Sequence, residues 1–144
     1  MSKPTLVGIN HIALEVGDIE DALAFYHSIF NFSLRAKSTN MAFIELGDQF
    51  IALMKTPQKH TDQERHFGLV VDDRSNVREL AKKAGAQFVE GEFLDFLDPW
   101  GNHIQVVEYG DIQFTKAPEI LKGMNLKLTK SNKTLAELAE KGMK

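Results

Sequence analysis

Hydrophobic and polar residues begin to alternate close to the start of the chain. Within residues 6–16 (LVGINHIALEV), Ile12, Leu14 and Val16 share one parity, and His11, Ala13 and Glu15 share the other. That is the period of a strand with one buried face. Asp18 then stands where a helix N-cap belongs, followed by Glu20 and Asp21, which suit the positive end of a helix dipole. Ala22, Phe25, Tyr26, Ile29 and Phe30 recur at three- and four-residue steps and predict one apolar helical stripe. Strands are predicted near 32–37, 41–46 and 49–55, with Gly47-Asp48 as the hairpin turn between the last two.

A polar connector, PQKHTDQ at 57–63, ends this unit, and the pattern then begins again. Phe67, Leu69 and Val71 alternate with His66, Gly68 and Val70, and Asp73 takes the place that Asp18 held. Val77, Leu80, Ala81 and Ala84 form the second helical stripe, stopped by Gly85. Strands near 86–90, 93–97 and 102–109 follow, with Asp98-Pro99-Trp100-Gly101 as their turn. An offset of 55 (66 − 11) superposes His11 on His66, Leu14 on Leu69, Val16 on Val71 and Asp18 on Asp73. Such an internal repeat organises the whole chain.

The expected fold is α+β. Two tandem βαβββ modules (6–56 and 64–110) form a curled mixed sheet around a cleft, within a single domain over 1–144. The tail, 111–144, is expected to be helical in part: Pro118 to Met124 suits a short helix, and Thr134 with Glu137 makes a capping-box pattern before Leu135, Leu138 and Ala139. Helices this short are marginal alone, so they should dock on the body or on a second subunit.

If the helices cover one face of each half-sheet, the opposite parity lines the cleft. Its apolar members include Phe43, Phe50, Met54, Leu97 and Val107, and its polar ones His11, His66, Glu45, Asp95 and Gln105. Polar residues on an apolar wall are where chemistry is expected. Asp95 is set inward by Leu94 and Phe96 on the other parity, and a buried acid needs a partner. A histidine, a metal or service as a general base would each meet that need. Glu45, beside the Gly47 turn, is expected to be more solvated, and His27, His60 and His103 are read as incidental.

Composition narrows the partners. Seventeen basic against twenty acidic side chains leave a net charge of −3, with no basic footprint for nucleic acid. The chain has no cysteine, so disulfides and thiolate metal sites are excluded. Its first residues do not read as a signal peptide, and no apolar run approaches the ~20 residues of a membrane helix. A cytoplasmic protein with a small-molecule partner is expected.

The segments HIALEVGDIEDALAFYHSIFNFSLR and FLDPWGNHIQVVEY resemble the glyoxalase / bleomycin-resistance / dioxygenase (vicinal oxygen chelate) superfamily, over about residues 8–109. The resemblance implies a divalent metal (zinc, manganese, iron or nickel) held by the first and last strands of each module. Carried across, the ligands fall on His11, His66 and Gln105, with Ala52 at the fourth place. Many members have glutamate where Gln105 stands, so Gln105→Glu is expected to strengthen metal binding. The implied function is a metal-dependent lyase, isomerase or dioxygenase acting on a small oxygen-bearing substrate, with Asp95 and Glu45 as catalytic candidates. Ala52 and Gln105 argue against glyoxalase activity proper, and the lack of a carboxylate ligand against extradiol dioxygenation. Ala13 argues against fosfomycin, because that branch commonly carries a hydroxyl residue there. The alternative is a metal-free, antibiotic-sequestering protein, walled by Phe43, Phe50, Met54 and Trp100. His11 and His66 are expected to meet across the pseudo-twofold. A homodimer is expected, of complete chains or with modules exchanged, because free strand edges and an apolar tail need cover.

Overall fold

Each half of the chain repeats the same order of elements. β1 (His11–Val16), α1 (Ile19–His27), β2 (Leu34–Lys37), β3 (Met41–Glu45) and β4 (Phe50–Lys55) make the first half. β5 (Phe67–Val71), α2 (Val77–Lys83), β6 (Gln87–Val89), β7 (Asp95–Leu97) and β8 (His103–Glu108) make the second. A 3-10 turn at Tyr109–Asp111 leads to α3 (Pro118–Gly123) and α4 (Asn132–Glu140). The computed structural model describes residues 3, 4, 7, 9–57 and 59–143; Leu6 and Gly8 of the predicted first strand lie outside them.

The strands form two four-stranded sheets, ordered β1-β4-β3-β2 and β5-β8-β7-β6. In both, the first strand pairs parallel with the last and the remaining pairs are antiparallel. The repeat in sequence is therefore a repeat in topology, two βαβββ modules of an α+β fold.

Asp18 caps α1 as its position suggested, its side chain accepting from the Asp21 N–H. The second copy departs from this. The Asp73 carboxylate accepts from the Ser75 N–H two residues on, so it closes a local turn, and α2 starts only at Val77. The tail departs similarly: α4 is capped by Ser131, whose hydroxyl accepts from the Thr134 N–H, and Thr134 is buried inside the first turn. Ser131 and Thr134 both offer a capping hydroxyl, and Ser131 has the extended backbone the role requires. Glu137 accepts from the Gln113 amide instead of closing a capping box.

One core joins the modules. The helix-side residues Leu14, Val16, Ile44 and Leu53 of the first sheet share a cluster with Phe96, Ile104 and Val106 of the second. α1 bridges them, with Phe25 packed edge-on against Phe96 at 6.4 Å between ring centres. The Tyr26 hydroxyl donates to Asp98 Oδ2 at 2.6 Å, and both residues are buried. Asp98 also accepts from the backbone N–H of Trp100 and of Asn102 and from the Asn102 amide, which itself donates to the Glu15 carbonyl. The predicted turn thus bolts the second module onto the first. Gly101 there has φ +91°, and a Cβ would lie 2.6 Å from the Thr61 Cα.

The tail docks on its own chain. Lys116 forms an ion pair with Asp48, and Met124 packs onto Gly47 in the β3–β4 turn. The Lys130 ammonium donates to the carbonyls of Tyr109, Ile112 and Phe114 and lies 3.5 Å above the Tyr109 ring. No helix among the described residues is long and apolar enough to cross a membrane.

Candidate functional site

In β8, Ile104 and Val106 face the core, which leaves His103, Gln105 and Val107 on the other side. The ladders then define that face. Gly68 of β5 and Asp95 of β7 both stand opposite Gln105, and Leu97 stands opposite His103. His66, just ahead of β5, brings its ring to 5.2 Å from that of His103. His66, Gln105, Asp95 and His103 therefore form one polar group on the second sheet.

His103 Nε2 lies 2.7 Å from Asp95 Oδ2, and both side chains are largely buried. The second oxygen, Asp95 Oδ1, is buried without a hydrogen-bond partner among the described residues. The His103 N–H donates to Asp62 Oδ2. His103, read from sequence as incidental, is thus the immediate partner of Asp95. Its parity, shared with Gln105, was the available signal. Its partner was not legible, because a diagonal contact across the β7–β8 ladder decides it.

On the first sheet the His11 ring stacks on Phe50 at 4.6 Å with the planes 10° apart, and Phe43 meets Phe50 at 4.7 Å. The Arg35 guanidinium lies over the Phe50 ring at 4.6 Å and grips both oxygens of Glu45. That grip holds the Glu45 carboxyl below the usual carboxylate range. Glu45 is an ion-paired anion here, not a base with a raised pKa.

The two histidines share one device. His11 Nδ1 is 2.7 Å from Asn10 Oδ1, and His66 Nδ1 is 2.9 Å from the Glu64 carbonyl. Both partners are acceptors, so each Nδ1 is the donating nitrogen and Nε2 is the one left for a ligand. The ring neighbour of His11 is Phe50 and that of His66 is His103, while Ala13 and Glu15, on the parity of His11, line the same cavity as His66. Among the described residues no three His, Cys, Asp or Glu side chains converge to hold a metal. The histidine-bearing faces stay open: His11, Ala13, Glu15, Met54 and Gly68 are exposed, while Phe43, Phe50 and Val107 are half-buried and Ala52 and Leu97 buried.

A polar cavity of about 230 Å³, lined by Glu15, His60, Asp62, Arg65, His66 and Trp100 among others, opens at the His66 end of this region. A larger cavity of about 370 Å³ lies on the helix side of the sheets, against Ile29, Phe30, Leu69, Val77 and Met124. His11, His66, Asp95 and Gln105 do not line it. Glu45 does line it, so of the predicted polar residues the histidines, Asp95 and Gln105 stand apart from the larger volume, and these donor groups mark the better candidate.

The family model for the Glyoxalase/Bleomycin resistance protein/Dioxygenase superfamily matches residues 8–106. The glutathione transferase FosA from Serratia marcescens is 24% identical over 113 residues, covering 70% of this chain and 80% of that protein. The fosfomycin resistance protein FosX from Mesorhizobium loti has a TM-score of 0.59 at 19% identity, over 71% of this chain and 92% of that one. A point mutant of FosX from Listeria monocytogenes, complexed with Mn(II) and 1S,2S-dihydroxypropylphosphonic acid, has a TM-score of 0.61 at 20% identity, over the same shares of the two chains. At these identities the two structures show a shared fold.

Proposed function

Since the chain belongs to the Glyoxalase/Bleomycin resistance protein/Dioxygenase superfamily, we propose that it is a divalent-metal-dependent enzyme of lyase, isomerase or dioxygenase type acting on a small oxygen-bearing substrate. The observation that carries this reading is the matched pair of histidines. Each stands at the head of a parallel strand pair, with Nδ1 committed to an acceptor and Nε2 left for a ligand. Two imidazoles and the Gln105 amide oxygen are donor types that a borderline ion accepts. Manganese, present in the Listeria FosX complex, is the first candidate. When bound, a divalent ion supplies Lewis-acid polarisation of the substrate's oxygens.

The chain's own residues do the rest. In this reading the Asp95–His103 pair, next to Gln105 in the ladder, takes a proton from the substrate and returns it. Arg35 and Glu45, locked together over Phe50, keep the opposite wall rigid. Because the ring partners of His11 and His66 are Phe50 and His103 and the faces they stand on are exposed, this reading assigns the complete site to a homodimer. Exchanged modules bring His11 of one protomer to His66 and Gln105 of the other.

A second reading, sequestration of a planar ligand without metal, is favoured by the half-buried rings of Phe43 and Phe50 beside the exposed Met54. Metal analysis of freshly purified protein, with Mn(II) titration of wild type, His11→Ala and His66→Ala, separates the two. Stoichiometric binding lost in both variants is expected. Wild type that holds no Mn(II), or variants that bind it equally well, would overturn the metal reading. Light scattering tests the dimer, and a monomer at tens of micromolar would refute it.

A further inference from the structure

The cavity of about 370 Å³ on the helix side has no role in the metal chemistry proposed above. Its wall is largely apolar and comes from both modules and the tail: Ile29 and Phe30 just past α1, Ile51 of β4, Leu69 of β5, Val77 of α2 and Met124. β5 is an edge strand, so no further strand fills the space beside it. Protein interiors are packed as densely as organic crystals, and apolar walls give water few partners. The volume lies at the lower end of the roughly 300–1,000 Å³ of small-molecule sites.

The tail is shaped to close this space. Asn125, just past α3, has φ +59°, the only positive value outside glycine among the described residues. Its N–H donates to the Lys122 carbonyl, and the Leu126 N–H donates to the Leu121 carbonyl at 2.9 Å, a pairing that reverses the chain. Met124 and Leu126, on either side of the reversal, both line the cavity. Met124 also packs on Gly47, and the Lys116–Asp48 pair ties the tail to the same turn. A methionine there gives the wall a side chain that adapts to the shape it meets.

Charge selects the occupant. None of the described residues lining the cavity is Lys, Arg or His, whereas Glu45, Asp72 and Asp73 all line it. Arg35 already neutralises Glu45. Asp72 and Asp73 are exposed, and among the described residues neither forms an ion pair. Each accepts one backbone N–H, from Asp73 and Ser75 respectively, which leaves its charge unmatched. An apolar space beside two such carboxylates attracts a cation with a hydrocarbon body and repels an anion.

We propose that this cavity is a second small-molecule site, specific for an apolar amine. The hydrocarbon or aromatic body packs against Phe30, Leu69 and Met124, and the ammonium group turns to Asp72 and Asp73. The site is separate from the histidine face and needs no metal.

The test uses the full-length protein and the uncharged fluorophore N-phenyl-1-naphthylamine, which brightens in apolar surroundings. Octylamine, octanol and octanoate then compete for it at neutral pH. Saturable binding is expected, with octylamine displacing the probe at about tenfold lower concentration than octanoate, as attraction to two exposed carboxylates replaces repulsion. Asp72→Asn combined with Asp73→Asn should erase that preference and leave octanol unchanged. Leu69→Phe fills the cavity and should weaken probe binding. Leu80→Phe does so from a partly exposed position that the fold tolerates more easily, and thermal melts check both. Phe50→Ala, on the histidine face, should bind the probe as wild type does. Wild type without saturable binding, or binding lost in Phe50→Ala and kept in both cavity-filling variants, would overturn the site. Octanoate competing as well as octylamine would overturn the ligand class.

Discussion

Removing the Tyr26 hydroxyl should loosen the joint between the modules without disturbing either one. In Tyr26→Phe the ring still packs edge-on against Phe25 and stays in the core, so little apolar burial changes. What goes is a 2.6 Å hydrogen bond to a buried carboxylate. Hydrogen bonds to charged groups are worth about 1.5–3 kcal/mol. Asp98 keeps its donors from Trp100 and Asn102, so it is not left bare, and a loss of about 2 kcal/mol is expected. For a chain of this size that corresponds to a fall in Tm of roughly 6 °C. Urea denaturation should show a lower midpoint with an unchanged slope, since the surface exposed on unfolding is the same. The pH dependence has a definite sign. Burial first, then the Asp98 charge and hydrogen bond, raise the Tyr26 pKa well above its ordinary value. The contribution is therefore complete below the unfolded phenol pKa of about 10 and is lost as pH rises toward the folded value. Wild type and variant should converge in stability only in strong alkali. A loss below about 0.5 kcal/mol, or additivity with Asp98→Asn, would refute this account of the joint.

Gly101→Ala should cost about 2 kcal/mol or more, because it combines a positive φ with a Cβ that would sit 2.6 Å from the Thr61 backbone; urea midpoints measure it, and a neutral result would mean that the 60–61 loop yields freely. Lys116 holds the Asp48 carboxyl below its usual range, first through the hydrogen bond and then through its charge. That stability is present above the unfolded carboxyl value of about 4 and is lost as pH falls through the folded one. Asp48→Asn should flatten this part of the acid limb by less than about 1 kcal/mol, since the pair is partly exposed, and an unchanged melting profile between pH 2 and 5 would show that the pair does not hold the tail.

Much of this architecture can be read from local pattern alone. Parity along HIALEV assigns each residue to the helix side or the histidine side, and the structure keeps that division, with Leu14 and Val16 buried and His11, Ala13 and Glu15 exposed. Asp18 as a cap, Gly47 and Gly101 at positive φ and the order of strands in each module follow from turn and cap chemistry within a few residues. Local pattern fails where two local solutions are equally good. Asp73 offered a cap and closed a turn instead, and Ser131 competed with Thr134 for the start of α4.

What the sequence by itself determined is therefore which side of the sheet a residue occupies, because a strand's period is a property of the chain. Which residues meet belonged to the tertiary structure. Tyr26 and Asp98 are 72 residues apart, and only the packing of α1 against the second sheet joins them. His103 passed for an incidental histidine until the β7–β8 register set it diagonally beside Asp95. Parity placed His11 and His66 on equivalent faces, yet it carries no information on whether two sheets turn those faces toward each other. That depends on how the helix-side surfaces share a core, a balance of burial that no single segment contains.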